Sequence, residues 1–115
     1  MVDPNQRGYY RIEYPTTECP DLVVGDRTMA VIDCSESGLR YDLLETEPRP
    51  EIGSEIRGVV RFREGEEVEV EGVIVRLDGR SVAVRFTGTE IPFSTILTEQ
   101  QYLRRHYLTH LRGRP

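Results

Sequence analysis

Between Val68 and Phe86 apolar and polar residues alternate with a period of two, and this pattern constrains the fold more than any other feature. Val68 and Val70 alternate with glutamates, and Val82, Val84 and Phe86 repeat the same period further along. Successive side chains of a β-strand point to opposite faces, so each run predicts a strand with one buried and one solvated face. This part of the chain, up to Phe86, is therefore expected to form β-sheet.

A tight turn and a change of phase occur between these runs. Asp78-Gly79 is a dipeptide typical of β-hairpins. After Gly72 the apolar positions shift by one residue, to Val73 and Val75. A one-residue shift at a glycine is typical of a β-bulge, and bulges let a sheet curve into a barrel. We therefore predict a bulge at Gly72.

Shorter extended segments precede these strands, and they are separated by turn residues. The segments are 11–14, 22–24, 28–34, 39–44 and 56–62. Pro48 and Pro50 exclude regular structure from the loop before the last of them.

The last segment changes to a helical period. Leu103, Tyr107 and Leu111 recur every four residues, as in an amphipathic helix with a narrow apolar stripe. Thr98 is followed three residues later by Gln101, which fits a capping box. We predict that the helix begins at Thr98.

Together these segments predict an all-β fold, in which about six short strands form a small antiparallel β-barrel with one C-terminal α-helix. A chain of 115 residues has the length of a single domain. We assign 1–11 to a flexible arm, 12–90 to the barrel and 98–112 to the helix. No apolar run approaches the ~18 residues of a membrane span, and the N-terminus has no apolar signal core. We expect a cytoplasmic protein without a membrane span.

Charge and composition exclude several functions. The net charge of −5 argues against binding to a nucleic acid polymer, which usually requires a basic surface. All 15 basic residues are arginine. This reflects a genomic composition bias, the use of guanidinium groups for planar anions, or both.

Neither a metal site nor an enzyme is expected. Cys19 and Cys34 are much further apart than the cysteine pairs of structural zinc sites. Both histidines, His106 and His110, lie in the terminal helix, and the chain has no G-x-S-x-G, P-loop or G-x-G-x-x-G motif. We expect no metal, no cofactor and no catalytic residue.

Two motifs remain. Arg7 and Arg11 stand four residues apart, but the chain contains three arginine pairs at that spacing, so the pair is weak alone. Asp33, Ser35 and Gly38 form the rarer pattern D-x-S-x-x-G between two predicted strands. In an ordinary turn the two polar side chains would bond local backbone and Gly38 would supply a positive φ.

Both motifs, in this order and followed by strands and a helix, resemble the PilZ domain family. The similarity spans nearly the whole chain and includes residues 31–40, 72–76 and 82–86. The resemblance implies a bacterial receptor for the second messenger cyclic di-GMP. It also implies a split, six-stranded antiparallel barrel with a terminal helix.

The resemblance also implies a role for each motif residue. Arg7 and Arg11 would clamp phosphates and guanine edges, because a guanidinium group forks onto either. Asp33 and Ser35 would supply polar contacts from the barrel. Gly38 would let the backbone approach the nucleotide ring.

Other residues near the motifs have two interpretations each. Arg40 is a further phosphate contact or a solvated surface arginine. Tyr9 and Tyr10 pin the arm to the barrel or stack on a guanine. Gln6 stands where many relatives have a basic residue, and it cannot contribute charge to a second nucleotide. We therefore expect a single bound nucleotide.

The expected partners are cyclic di-GMP and an unidentified effector protein in motility, pili, biofilm or exopolysaccharide control. In this interpretation the nucleotide orders the arm, and the effector reads the new arm position. The alternative is a nucleotide-independent PilZ-like adaptor that acts by protein–protein interaction. A barrel that binds single-stranded RNA or DNA would place aromatic and basic residues together on one sheet face, whereas this chain places glutamates there.

Overall fold

The structure is a computed structural model that describes residues 11–63 and 65–112, and within these ranges it contains seven β-strands and one α-helix. The elements are β1 (Ile12–Glu13), β2 (Asp21–Val24), β3 (Arg27–Cys34), β4 (Gly38–Asp42), β5 (Glu55–Arg61), β6 (Glu67–Asp78), β7 (Ser81–Phe86) and α1 (Phe93–Arg112). A short 3-10 turn, Thr16–Glu18, lies between β1 and β2.

Six of the described strands close into an antiparallel barrel in the order β3-β2-β5-β6-β7-β4 and back to β3, which confirms the predicted fold. The closing strand is β3. Its first half pairs with β2, and its second half pairs with β4 on the other edge. The short strand β1 continues along the edge that β2 leaves, where Ile12 and Glu13 lie opposite Cys34 and Asp33. Strand β1, which leads into the barrel, therefore lies beside the D-x-S-x-x-G motif.

The alternating residues fill the barrel as predicted. Val60 and Phe62 of the β5 region are buried, as are Val82, Val84 and Phe86 of the β7 region. Burial of such side chains is the main stabilising contribution to a fold of this size.

The bulge predicted at Gly72 is wrong. Pairing of β5 with β6 continues in register through Gly72, and the shift lies between Ile74 and Arg76 in the pairing of β6 with β7. Ile74, not Val73, takes the inward position, and Val75 is exposed. A Cβ on Gly72 would lie 2.3 Å from the carbonyl oxygen of Arg85, so this glycine permits a close approach of two strands.

The helix also begins earlier than predicted, at Phe93 rather than Thr98. The carbonyl of Pro92 accepts hydrogen bonds from the amides of Thr95 and Ile96, which closes the first turn. Thr98 is therefore inside the helix. Within the described ranges, no helix combines the length and the apolar character needed to cross a membrane.

The additional turn of helix places Ile96 in the core. Ile96 is fully buried, whereas Ile52 is exposed in the loop before β5. We expect Ile96→Val to lower the free energy of unfolding by about 1 kcal/mol, because one buried methylene is lost. The same change at Ile52 should have an effect below about 0.5 kcal/mol. Urea denaturation of both variants checks this, and equal effects would contradict the packing of α1 on the barrel.

Candidate functional site

The D-x-S-x-x-G motif places a buried carboxylate between two arginines. The side chain of Asp33 is 1% exposed. Arg11 Nη1 donates to Asp33 Oδ1 at 2.6 Å. Arg40 donates to Asp33 Oδ2 through Nε at 2.7 Å, and its Nη2 lies 2.6 Å from the same oxygen. Hydrogen bonding to Asp33 raises the pKa of the Arg40 guanidinium above its ordinary value. The structure thus brings three of the predicted site residues into direct contact.

Strand register explains this arrangement. Asp33 lies opposite Glu13 of β1 on one side and opposite Arg40 of β4 on the other. The β3–β4 pairing shifts register between Val31 and Asp33. Asp33 and its neighbour Cys34 are both buried, although adjacent strand residues point to opposite faces. Cys34 belongs to the core, so Asp33 is on the outer side of the barrel, covered by its two arginines.

The serines of the motif shape the turn between β3 and β4. The amide of Ser35 donates to the carbonyl of Gly38 at 2.8 Å, and the amide of Ser37 donates to Ser35 Oγ at 3.3 Å. Ser35 is fully buried, and it is Ser37 that lines the adjacent cavity. The structure therefore places Ser35 within the turn, and Ser37 is a lining residue that the sequence interpretation did not select.

Gly38 does not supply the positive φ of an ordinary turn, because its backbone is part of β4. A Cβ on Gly38 would lie 2.5 Å from the carbonyl oxygen of Val84 in β7. Such a contact is too short for any real Cβ, so only glycine permits this spacing of the two strands. The close approach forms part of the cavity floor.

A cavity of about 570 Å³ opens on the outer face of β4, β6 and β7 beside Asp33, within the usual size range of small-molecule sites. Its lining residues are Arg11, Glu13, Asp33, Ser37, Gly38, Leu39, Arg40, Val75, Arg76, Ala83, Val84 and Arg85. Four of these are arginines and two are acidic, which leaves a formal excess of two positive charges in a chain of net charge −5. The cavity is therefore suited to an anion.

Arg76 and Arg85 are lining residues that the sequence interpretation did not select. Arg85 alternates with the buried Val84 and Phe86, which places it on the outer face. Arg76 follows a register shift in the pairing of β6 with β7, so alternation alone does not locate its side chain. Val75 adds an exposed apolar side chain to the same lining. Arg7 lies outside the described residues, as do Tyr9 and Tyr10.

The buried hydroxyl of Tyr14 connects β3, which carries the motif, to helix α1. The Tyr14 hydroxyl donates to Glu99 Oε1 at 2.7 Å and lies 3.7 Å from Cys34 Sγ. Burial raises the pKa of Tyr14 above its ordinary range and that of Cys34 to about 12. Burial, with a smaller contribution from the negative charge of Glu66, raises the pKa of Glu99 despite the lowering effects of Tyr14 and Arg63. Among the described residues, no group of His, Cys, Asp and Glu side chains is arranged to hold a metal ion.

The raised pKa of Glu99 predicts a pH dependence of stability. The folded chain holds the proton of Glu99 more tightly than the unfolded chain does. The resulting stabilisation is complete below the ordinary pKa of 4.5 and is lost as pH rises through the folded-state value. Glu99→Gln cannot titrate, and its amide oxygen can still accept from Tyr14. We expect the stability of this variant relative to the native chain to increase with pH. Urea denaturation across this pH range measures it, and a constant difference would contradict the assignment.

Comparisons with known proteins agree with this architecture. A family model described as PilZ domain matches residues 5–105. No curated protein matches the chain. Among solved structures, the chain is similar to the crystal structure of the uncharacterized Legionella protein Lpg0364, with a TM-score of 0.52 and 12% identity over 90% of this chain and 98% of the other. At that identity the likeness supports the fold alone.

Proposed function

Because the chain belongs to the PilZ domain family, we propose that it is a bacterial cyclic di-GMP receptor that acts as an adaptor in the cytoplasm rather than as an enzyme. The observation that supports this most strongly is the buried carboxylate of Asp33 at the edge of an arginine-lined cavity. A buried acceptor beside an excess of positive charge suits a ligand that combines hydrogen-bond donors with anionic groups.

The chemistry of the nucleotide fits these residues. Asp33 accepts from the N–H edge of a guanine, since a carboxylate offers two acceptor oxygens. Arg11 and Arg76 face the phosphates or a guanine edge, where guanidinium groups donate two parallel bonds. Val75 provides an apolar surface for a base, and Arg85 adds positive charge to the cavity wall.

Arg7 supplies the second clamp of the motif in this proposal. Residues 1–11 close over the bound nucleotide, and the effector protein reads their new position. Amide exchange within this segment should slow on addition of saturating cyclic di-GMP. Unchanged exchange there would overturn the arm mechanism and leave nucleotide binding intact.

The cavity takes one nucleotide per protomer. Gln6 stands where a basic residue would hold a second nucleotide by charge. A calorimetric stoichiometry near one supports this, and a stoichiometry of two per protomer would overturn it.

A competition experiment tests the proposed function. A fluorescent cyclic di-GMP is bound to the chain and displaced by unlabelled competitors, namely cyclic di-GMP, cyclic di-AMP, GMP and a single-stranded oligonucleotide. We expect displacement by cyclic di-GMP far below the concentrations that the others require. Equal displacement by the oligonucleotide with strong salt dependence would indicate a general nucleic-acid binder. No binding of the labelled nucleotide would favour an adaptor that acts through protein contacts alone.

A further inference from the structure

We propose, on the basis of the nucleotide-binding function above, that Asp33 exchanges partners on binding, with guanine displacing Arg11 while Arg40 stays and positions the carboxylate. Arg11 is then a built-in occupant of the guanine position in the free protein. Arg40 is a positioning residue that acts through Asp33 rather than a phosphate contact.

The starting state is visible in the hydrogen bonds. Each oxygen of the buried Asp33 carboxylate accepts from a guanidinium group, Oδ1 from Arg11 and Oδ2 from Arg40. The Watson–Crick edge of guanine presents two neighbouring N–H donors, which match the two oxygens of one carboxylate. An oxygen with two lone pairs can accept from two donors, so Oδ2 can keep the Nε–H of Arg40 and also accept from guanine. In this proposal the other guanine donor takes the place of Arg11 at Oδ1, because Arg11 is the more loosely held partner.

The two arginines differ in how firmly they are held. Arg11 is 40% exposed, contacts Asp33 through one nitrogen and precedes the two-residue strand β1. Arg40 is 31% exposed, contacts Asp33 through two nitrogens and lies in the middle of β4. Its backbone pairs with Asp33 on one side and with Ala83 on the other. Arg11 is therefore the partner that can leave.

Charge requires that one partner remains. An ionised carboxylate that is 1% exposed is strongly destabilised when no cation faces it. Arg40 supplies that cation throughout, while guanine replaces Arg11. The released Arg11 guanidinium becomes free for a phosphate. The Arg11–Asp33 ion pair thereby occupies the guanine position in the free protein, and Arg11 supplies a ligand contact after binding.

A double-mutant cycle separates positioning from direct contact. Dissociation constants for cyclic di-GMP are measured for the native chain, Arg40→Met, Asp33→Asn and the double variant. We expect Arg40→Met to weaken binding about tenfold in the native background, and less than about twofold when Asp33 is already asparagine, because coupled residues are not additive. Equal losses in both backgrounds would show a direct nucleotide contact and overturn the proposal.

Two further variants serve as controls for this cycle. Arg40→Lys keeps the charge without the two-nitrogen contact, and it should recover part of the loss. Arg61→Met removes an arginine that pairs with Glu67 across β5 and β6, outside the cavity. It should bind as the native chain does. If Arg61→Met lost as much affinity for cyclic di-GMP as Arg40→Met, the effect of Arg40→Met would come from the loss of any positive charge. That result would overturn the proposal.

A measurement on the native chain avoids any folding defect of the variants. Nuclear magnetic resonance of the arginine side chains follows both guanidinium groups during titration with cyclic di-GMP. We expect the Arg40 Nε–H signal to remain in slow solvent exchange and the Arg11 signals to shift. A scalar coupling between Arg40 and phosphorus would overturn the exchange and leave the receptor function standing. Absence of nucleotide binding by the folded native chain would overturn both.

Discussion

Replacing Asp33 with alanine is expected to weaken cyclic di-GMP binding at least about 30-fold, which corresponds to ~2 kcal/mol. The variant loses the buried acceptor of the site. It also leaves Arg11 and Arg40 with no anion between them. Both guanidinium groups are exposed enough for water to solvate them, so the variant should fold. Isothermal calorimetry measures the affinity, and thermal unfolding checks the fold.

Glu13→Ala is the matched control for this change. Glu13 lines the same cavity and lies opposite Asp33 in the β1–β3 pairing. It forms no ion pair with Arg11 or Arg40 in the described part of the chain. Its removal takes a negative charge from an anion site, so the variant should bind no more weakly than the native chain. A folded Asp33→Ala variant with native affinity would refute the assigned site.

Gly38→Ala is expected to lower the free energy of unfolding by about 2 kcal/mol or more, as overpacking at a rigid contact does. The added methyl would lie 2.5 Å from the Val84 carbonyl oxygen, which is backbone and cannot rotate away. Strands β4 and β7 must separate, and the cavity floor moves with them. Urea denaturation measures the loss, and the remaining folded protein should bind cyclic di-GMP more weakly.

Gly79→Ala separates this clash from the general cost of replacing a glycine. Gly79 has a φ of 63°, and an added Cβ there would meet no atom within 4 Å. The cost is backbone strain alone, about 1 kcal/mol. This variant should retain nucleotide affinity. A Gly38→Ala variant no less stable than Gly79→Ala would contradict the close approach of β4 and β7.

The barrel was predictable because alternation is a local property of each strand. Val82, Val84 and Phe86 can be assigned to one face without knowledge of their partners. The position of the bulge was not predictable in this way. Gly72 is followed by three β-branched residues, 73–75, which allow either phase. Only the pairing of β6 with β7 decides that Ile74 points inward.

The helix start shows the same limit. Thr98 with Gln101 fits a capping box, yet tertiary packing extends the helix back to Phe93. Ile96 and Glu99 are buried against the barrel, and this contact outweighs the local capping signal.

The sequence motif predicted residues of the candidate site, but it did not predict how their side chains are arranged in space. The sequence identified Asp33 and Arg11, and Arg40 only as a candidate phosphate contact. Its place opposite Asp33 depends on the register of β3 against β4, which is a long-range property. Arg76 and Ser37 were missed for the same reason, since only the folded sheet brings them to the cavity.

Isothermal calorimetry of the native chain with cyclic di-GMP tests the central claim most directly. Saturable binding with about one nucleotide per protomer, abolished or cut at least about 30-fold in Asp33→Ala and Arg11→Ala, is the predicted result. A folded native chain that produces no heat of binding would contradict the receptor function.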